Sequence, residues 1–250
     1  MRVAVLGATG RVGRLVVAEV LAASDLELAA AWAGPASVAA GAQVCGVPVT
    51  PTGVGRPDIV VDFSSDAALA AALPTFAGVP LVTGTTRLSE ATQHGLAAHA
   101  AGAPVVSASN FALGVVLLRH LARTAAAFLP SFDAEIVEVH HSGKRDAPSG
   151  TAVDLVAAVR AGRGGGEARH GRYGADAARV PGEIGVHAVR GGGVVGEHTV
   201  LFLDAFERVE LRHVATDRVM FARGALTVAR RLVAFPSGSH SLEAALGLGG

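Results

Sequence analysis

The sequence predicts an α/β protein: an N-terminal Rossmann-type domain on a parallel sheet, then a smaller α+β domain with a mixed or antiparallel sheet. Three observations carry this. Short β-branched runs alternate with longer Ala/Leu-rich stretches through the first half, the rhythm of βαβ units. A glycine loop follows the first apolar run. In the second half, three strand-like runs succeed one another with no helical pattern between them.

Arg2–Leu6 reads as a fully buried strand, and Arg11–Ala22 as a helix with Val12, Leu15, Val16 and Val20 near one face. Strands are expected at Leu26–Trp32, Asp58–Phe63, Pro80–Thr83 and Pro104–Ser107, with helices at Asp66–Phe76 and Ser89–Ala101. The Gly/Pro-rich stretch Ala33–Pro57 gives no clear assignment. Beyond it, Leu113–Phe128 and Thr151–Ala161 read as helices flanking a strand at Ala134–His140. The glycine- and arginine-rich segment Gly162–Gly174 reads as a mobile loop. Strands follow at Ile184–Arg190, Glu197–Leu203 and Arg208–Ala215, then a helix at Phe221–Ala234 and a weakly patterned tail from Pro236.

Composition narrows the function classes. Half of the 250 residues are hydrophobic and 17% are charged, enough for a sizeable core. Lys+Arg and Asp+Glu both number 21, which speaks against a general nucleic-acid or membrane-surface binder. One cysteine, Cys45, excludes an internal disulfide and any multi-cysteine zinc site. No apolar run reaches the roughly 18 residues of a membrane span, and no signal peptide is read, so the expected compartment is the cytoplasm.

Gly7-Ala8-Thr9-Gly10-Arg11-Val12-Gly13 lies between a predicted strand and a predicted helix. Its glycines permit a tight turn and close approach to a pyrophosphate, and the helix start offers N–H groups and a positive dipole end. An acid commonly closes the second strand and binds the ribose 2′-hydroxyl. Here the chain reads Ala31-Trp32-Ala33-Gly34-Pro35, with neither an acid nor a nearby arginine for a 2′-phosphate. NADH and NADPH are both left open. Thr83-Gly84-Thr85-Thr86 and Ala108-Ser109-Asn110-Phe111 follow two further strands, and a doubly wound sheet would bring both to the edge where ligands sit.

Glu138-Val139-His140-His141-Ser142-Gly143-Lys144-Arg145-Asp146-Ala147-Pro148-Ser149-Gly150-Thr151 concentrates chemistry between a strand and a helix. A histidine exchanges protons near neutral pH, Lys144 supplies a positive charge or a proton, and Ser149-Gly150-Thr151 opens a helix whose amides and hydroxyls can grip a carboxylate. Adjacent histidines in an extended chain point opposite ways, so His140 and His141 are not expected to share one task. Neither His nor Cys shows the usual metal-ligand spacing, and no metal is expected.

The stretch His140–Thr151 closely resembles the signature of the 4-hydroxy-tetrahydrodipicolinate reductase (dihydrodipicolinate reductase) family of the bacterial lysine pathway. The likeness extends to Gly7–Gly13, Gly84–Thr86, Asn110–Val115, Val195–Thr199 and Arg218–Ala225. The resemblance implies reduction of a cyclic unsaturated dicarboxylate by NADH or NADPH, with release of water. By it, His140 is the proton donor and Lys144 assists protonation and contacts substrate. His141 and Arg218 contact substrate, while Ser149, Gly150 and Thr151 hold a carboxylate. Gly7, Ala8, Thr9, Gly10, Arg11 and Val12 match cofactor loops, as do Gly84, Thr85 and Thr86 and Ala108, Ser109, Asn110 and Phe111. It also implies a homotetramer joined through second-domain sheets, and a last helix returning to the cofactor domain. The expected division is residues 1–111 with 219–250 for the dinucleotide, and 112–218 for substrate and oligomerisation. Two departures stand out: family members often carry an acid at the place of Ala33 and Gly34, and some a basic residue at that of Ser65. The rival readings are another nicotinamide-dependent dehydrogenase acting on an amino acid or dicarboxylate, and a dinucleotide sensor without turnover.

Overall fold

The computed structural model describes residues 1–248. The chain forms two compact units, Met1–Ala112 with Val219–Gly250, and Leu113–Arg218.

The first unit begins with β1 (Arg2–Leu6), α1 (Gly13–Ala22), β2 (Glu27–Trp32), the short α2 (Pro35–Ala39), and the two-residue strands β3 (Gln43–Val44) and β4 (Val47–Pro48). It continues through β5 (Ile59–Asp62), α3 (Asp66–Ala72), β6 (Leu81–Thr83), α4 (Glu90–Ala100) and β7 (Pro104–Ser107). The second unit holds α5 (Leu113–Phe128), β8 (Asp133–His140), α6 (Gly150–Arg163), β9 (Ala168–His170), β10 (Ile184–Arg190), β11 (Gly196–Leu203) and β12 (Arg208–Ala215). The chain then returns to the first unit with α7 (Val219–Leu232), β13 (Gly238–His240) and α8 (Leu242–Leu246).

Six strands of the first unit form one sheet in the order β13-β7-β6-β5-β1-β2, every pairing parallel. Central strands buried on both faces explain the continuous Val/Ile/Leu runs; Val3–Val5 and Ile59–Val61 are fully buried. The second unit carries a mixed five-stranded sheet, β12-β11-β8-β10-β9. There β8, β10 and β9 are parallel and β11 runs antiparallel to β8 and β12. The α/β class expected from the sequence is the one observed.

Local differences have physical causes. The expected helix Asp66–Phe76 turns into a 3₁₀ segment at Leu73–Phe76, because Pro74 has no N–H to continue the α ladder. Residues Ala33–Pro57, unassigned from sequence, contain α2 and the β3–β4 pair and are tied to β2 by a bridge between Trp32 and Thr50. Gly162–Gly174 is not the structureless loop its glycines suggested. Its first residues finish α6, Gly164 caps that helix in the left-handed conformation (φ 77°), and β9 pairs with β10. Arg172 then binds both Glu135 and Glu183. The tail from Pro236 adds β13 to the sheet edge and caps α8 with Ser241. A three-residue strand is too short to show a period.

Candidate active site

The glycine loop is built by close approach of its own backbone. Gly7 has φ +78°, and a Cβ there would lie 2.8 Å from the Phe63 carbonyl oxygen. A Cβ on Gly13 would overlap the Gly7 carbonyl oxygen. The amides of Gly7 and Ala8 both donate to the Trp32 carbonyl at 3.1 Å, binding the loop to the end of β2. The α1 start thus sits over the carboxyl edge of a parallel sheet, the geometry that receives a pyrophosphate. Beside it lies a cavity of about 520 Å³ between the Leu6 end of β1, the Ala33–Pro35 turn and α3. Its walls are apolar apart from Thr52 and include no charged side chain. Size and lining fit the heterocyclic end of a dinucleotide.

Asp62, which the sequence reading passed over, organises the neighbouring loops. Its carboxyl is fully buried at the end of β5. Oδ1 accepts from the Ser64 hydroxyl (2.5 Å) and amide (2.9 Å), and Oδ2 from the hydroxyls of Thr83 (2.6 Å) and Thr85 (2.7 Å). Burial pushes its pKa up against the pull of these hydrogen bonds. Gly84 lies against Phe63, whose ring a Cβ would overlap. Several expected cofactor residues therefore face inward: Ala8, Thr85 and Phe111 are buried, leaving their backbone to meet a ligand, while Thr86 and Ser109 are exposed. Asn110 folds back to accept from the Ala112 amide at 2.9 Å.

In the second unit, β8 directs Glu138 and His140 to the same buried face, as residues two apart on a strand must be. His140 Nδ1 meets Glu138 Oε2 at 2.5 Å. Arg190, whose Cα pairs with that of His140 in the β8–β10 register, donates to both Glu138 oxygens at 2.8 Å. The Ser149 amide donates to Oε1 at 2.9 Å. Burial alone would raise the Glu138 pKa; Arg190, His140 and the Ser149 amide outweigh it and hold the carboxyl below its ordinary range. Ser149 is the N-cap of α6, accepting from the Ala152 amide, and its hydroxyl lies 3.1 Å from His198 Nε2. Burial and the neighbouring His140 lower the His198 pKa to about 4, so this ring is neutral near pH 7.

The predicted residues His140, His141, Lys144, Ser149, Gly150 and Thr151 thus occupy one turn between β8 and α6. His140 is buried and His141 half-buried. Lys144 pairs with Asp146 at 2.9 Å. Ser149 is spent internally, whereas Gly150 is exposed at the positive end of α6. Arg218 is exposed in the turn before α7. Glu138, Arg190 and His198 were not singled out from sequence. The Glu-x-His spacing would have flagged Glu138, whereas Arg190 and His198 arrive through strand pairing alone. No group of three or more His, Cys, Asp or Glu able to hold a metal occurs among the described residues.

A parallel-sheet unit with a glycine loop, and a mixed-sheet unit bearing a buried Glu–His pair and a lysine, define a dinucleotide-dependent reductase. The chain belongs to the dihydrodipicolinate reductase family. Residues 1–111 match the model described as dihydrodipicolinate reductase, N-terminus, and residues 114–246 that of the C-terminus. It is 43% identical to the 4-hydroxy-tetrahydrodipicolinate reductase of Anaeromyxobacter sp. (strain Fw109-5) over 99% of this chain and 98% of that one. Identity to the same-named enzyme of Methanopyrus kandleri is 42%, covering 96% of this chain and 94% of the other. Among solved structures, dipicolinate-bound dihydrodipicolinate reductase from Paenisporosarcina sp. TG-14 shares the fold at a TM-score of 0.78 and 24% identity, covering 96% and 97% of the two chains.

Proposed function

We propose that this protein reduces 4-hydroxy-tetrahydrodipicolinate to tetrahydrodipicolinate at the expense of NADH or NADPH, with release of water, in the cytoplasmic route to diaminopimelate and lysine. Family membership over nearly the whole chain supports the reaction. The observation that carries the mechanism is the His140 ring, fixed by Glu138 in the same turn as Lys144.

The backbone of Gly7–Val12, Gly84–Thr86 and Ala108–Phe111 holds the dinucleotide. When bound, the reduced nicotinamide supplies a hydride. The α6 start at Gly150 and Thr151, capped by Ser149, and the cations of Lys144 and Arg218 hold the two carboxylates, with His141 as a further contact. His140 or Lys144 gives up the proton that completes reduction, so the substrate gains one hydride and one proton and loses one water. Orientation supplies the larger part of the acceleration, and acid catalysis about 10²–10⁴-fold. Alternation along β8 and β11 leaves one sheet face half-buried, including Val137, Val139, Thr199 and Leu201. Copies of the chain pack there to form a homotetramer.

The test is oxidation of NADH and of NADPH with freshly made cyclic substrate, one cofactor per product. His140→Gln is expected to cut turnover about 10²–10⁴-fold while cofactor affinity, read by fluorescence titration, stays unchanged. Near-normal turnover would remove His140 as the donor. Lys144→Ala should lower turnover and raise the substrate KM together. Oxidation of cofactor by open-chain amino acids but not the cyclic substrate would overturn the reaction itself.

A further inference from the structure

An acid catalyst needs its proton on the nitrogen that meets the substrate, and an imidazole has two. We propose that Glu138 is the positioning residue for His140: its carboxylate, clamped by Arg190 and the Ser149 amide, takes the Nδ1–H of His140 and leaves Nε2 as the donating nitrogen. This rests on the reading of His140 as proton donor given above.

The geometry argues it in three steps. Glu138 is fully buried, where a carboxylate is costly unless each oxygen is satisfied. Here each oxygen receives two donors: His140 Nδ1 and Arg190 at Oε2, Arg190 and the Ser149 amide at Oε1. Three of the four contacts come from a fixed guanidinium fork and a helix-capping backbone, so the carboxylate stands where the sheet and α6 put it. An anion with only acceptors forces the proton onto Nδ1. When the ring is charged, the second proton is therefore on Nε2. On donation the Nε2–H bond breaks, its electron pair stays on the ring, the proton passes to the substrate, and Nδ1–H remains on Glu138.

The surroundings suit that assignment. Gly196 faces Nε2, and a Cβ there would lie 2.9 Å from it, so this glycine leaves room at the donating nitrogen. Arg190 from β10 binds Glu138 directly and the His198 ring from β11 lies 5.1 Å from that of His140; Lys144 from the turn and His213 from β12 act on His198, and Asp146 on Arg190. His198 is neutral, and burial lowers the His213 pKa. Arg190 also donates to the Asp146 carbonyl at 2.6 Å, tying the turn that carries Lys144 to the same clamp.

Two measurements test this. In ¹⁵N-histidine-labelled wild-type enzyme, with His140 assigned by its loss in H140Q, the neutral ring is expected as the Nδ1–H tautomer; an Nε2–H tautomer overturns the proposal. In steady-state kinetics, E138Q is expected to lower kcat about 10²-fold with KM for substrate and cofactor changed less than about threefold. The E138Q/H140Q double variant is expected to be no slower than H140Q. Equal losses from E138Q in both backgrounds, or full activity of E138Q beside an impaired H140Q, assign Glu138 a structural role and end the proposal. Full activity of H140Q ends the donor reading instead. Should E138Q not fold, the wild-type tautomer decides.

Discussion

At the scale of single residues, glycines and missing charges say most about cofactor use. Gly34 ends the β2 turn with φ −65° and nothing within 4 Å of where a Cβ would stand. A side chain there enters the rim of the cavity beside the glycine loop. The wild-type protein has no carboxylate there to bind a 2′-hydroxyl or repel a 2′-phosphate, so its kcat/KM values for NADH and NADPH are expected to lie within about tenfold of each other. Gly34→Asp should shift the ratio at least about tenfold toward NADH; an unchanged ratio would show that the adenosine ribose lies elsewhere. Gly13 is under the opposite constraint. With the Gly7 carbonyl against it, Gly13→Ala must push α1 away from the loop, and dinucleotide affinity should fall sharply in a titration monitored by nicotinamide fluorescence.

Helices are held by contacts of different kinds, and their responses to mutation and pH should differ. In the second unit α5 and α6 meet where a Cβ on Gly162 would overlap the Arg123 carbonyl oxygen. Gly162→Ala should cost about 1–3 kcal/mol by overpacking, measured by denaturant unfolding; unaltered stability would mean that the helices separate freely. In the first unit α7 is pinned by charge at two points, Arg223 to Glu19 and Arg230 to Asp25, each through two hydrogen bonds. The Arg230 guanidinium holds the Asp25 carboxyl down at about 2, against the ordinary 3.8. A depressed acid pKa contributes stability that is complete above the ordinary value and disappears as pH falls through the folded one. The Tm difference between wild type and Asp25→Asn should therefore be present at pH 5, shrink between about pH 4 and 2, and be gone below. Because the pair is exposed the difference is small. A difference unchanged at pH 2 would refute the assignment.

For the whole molecule, the decisive feature is that the first unit is discontinuous in sequence. Helix α7 buries Ala222, Ala225, Leu226, Val228, Ala229 and Leu232, and β13 supplies the strand beside β7. A chain ending at Arg218 would leave that apolar surface open to water, at about 25 cal/mol per Å². Such a truncation should lose the cooperative thermal transition of the first unit, followed by circular dichroism; a full-height transition would show that α7 only decorates it. The half-buried face of the mixed sheet is the surface on which the proposed assembly would pack. Sedimentation is expected to give a tetramer, and a monomer at micromolar concentration would remove the assembly part of the proposal.

The main strands and helices of both units, the parallel sheet, the separate mixed or antiparallel one, the glycine loop and the chemical turn at His140–Thr151 were legible in the chain, whereas α2, β3, β4, β9, β13 and α8 were not. Each legible feature depends on neighbours in sequence: a period of two or 3.6, a turn residue, a capping serine. Even the Glu138–His140 pair was available, since strand geometry puts residues two apart on one face. Tertiary structure alone brought Arg190 to Glu138 through the β8–β10 register, set His198 against Ser149, and gathered Thr83 and Thr85 around Asp62. Those contacts join segments tens of residues apart. Burial makes a charge need partners, but only the folded chain decides which distant donors reach it.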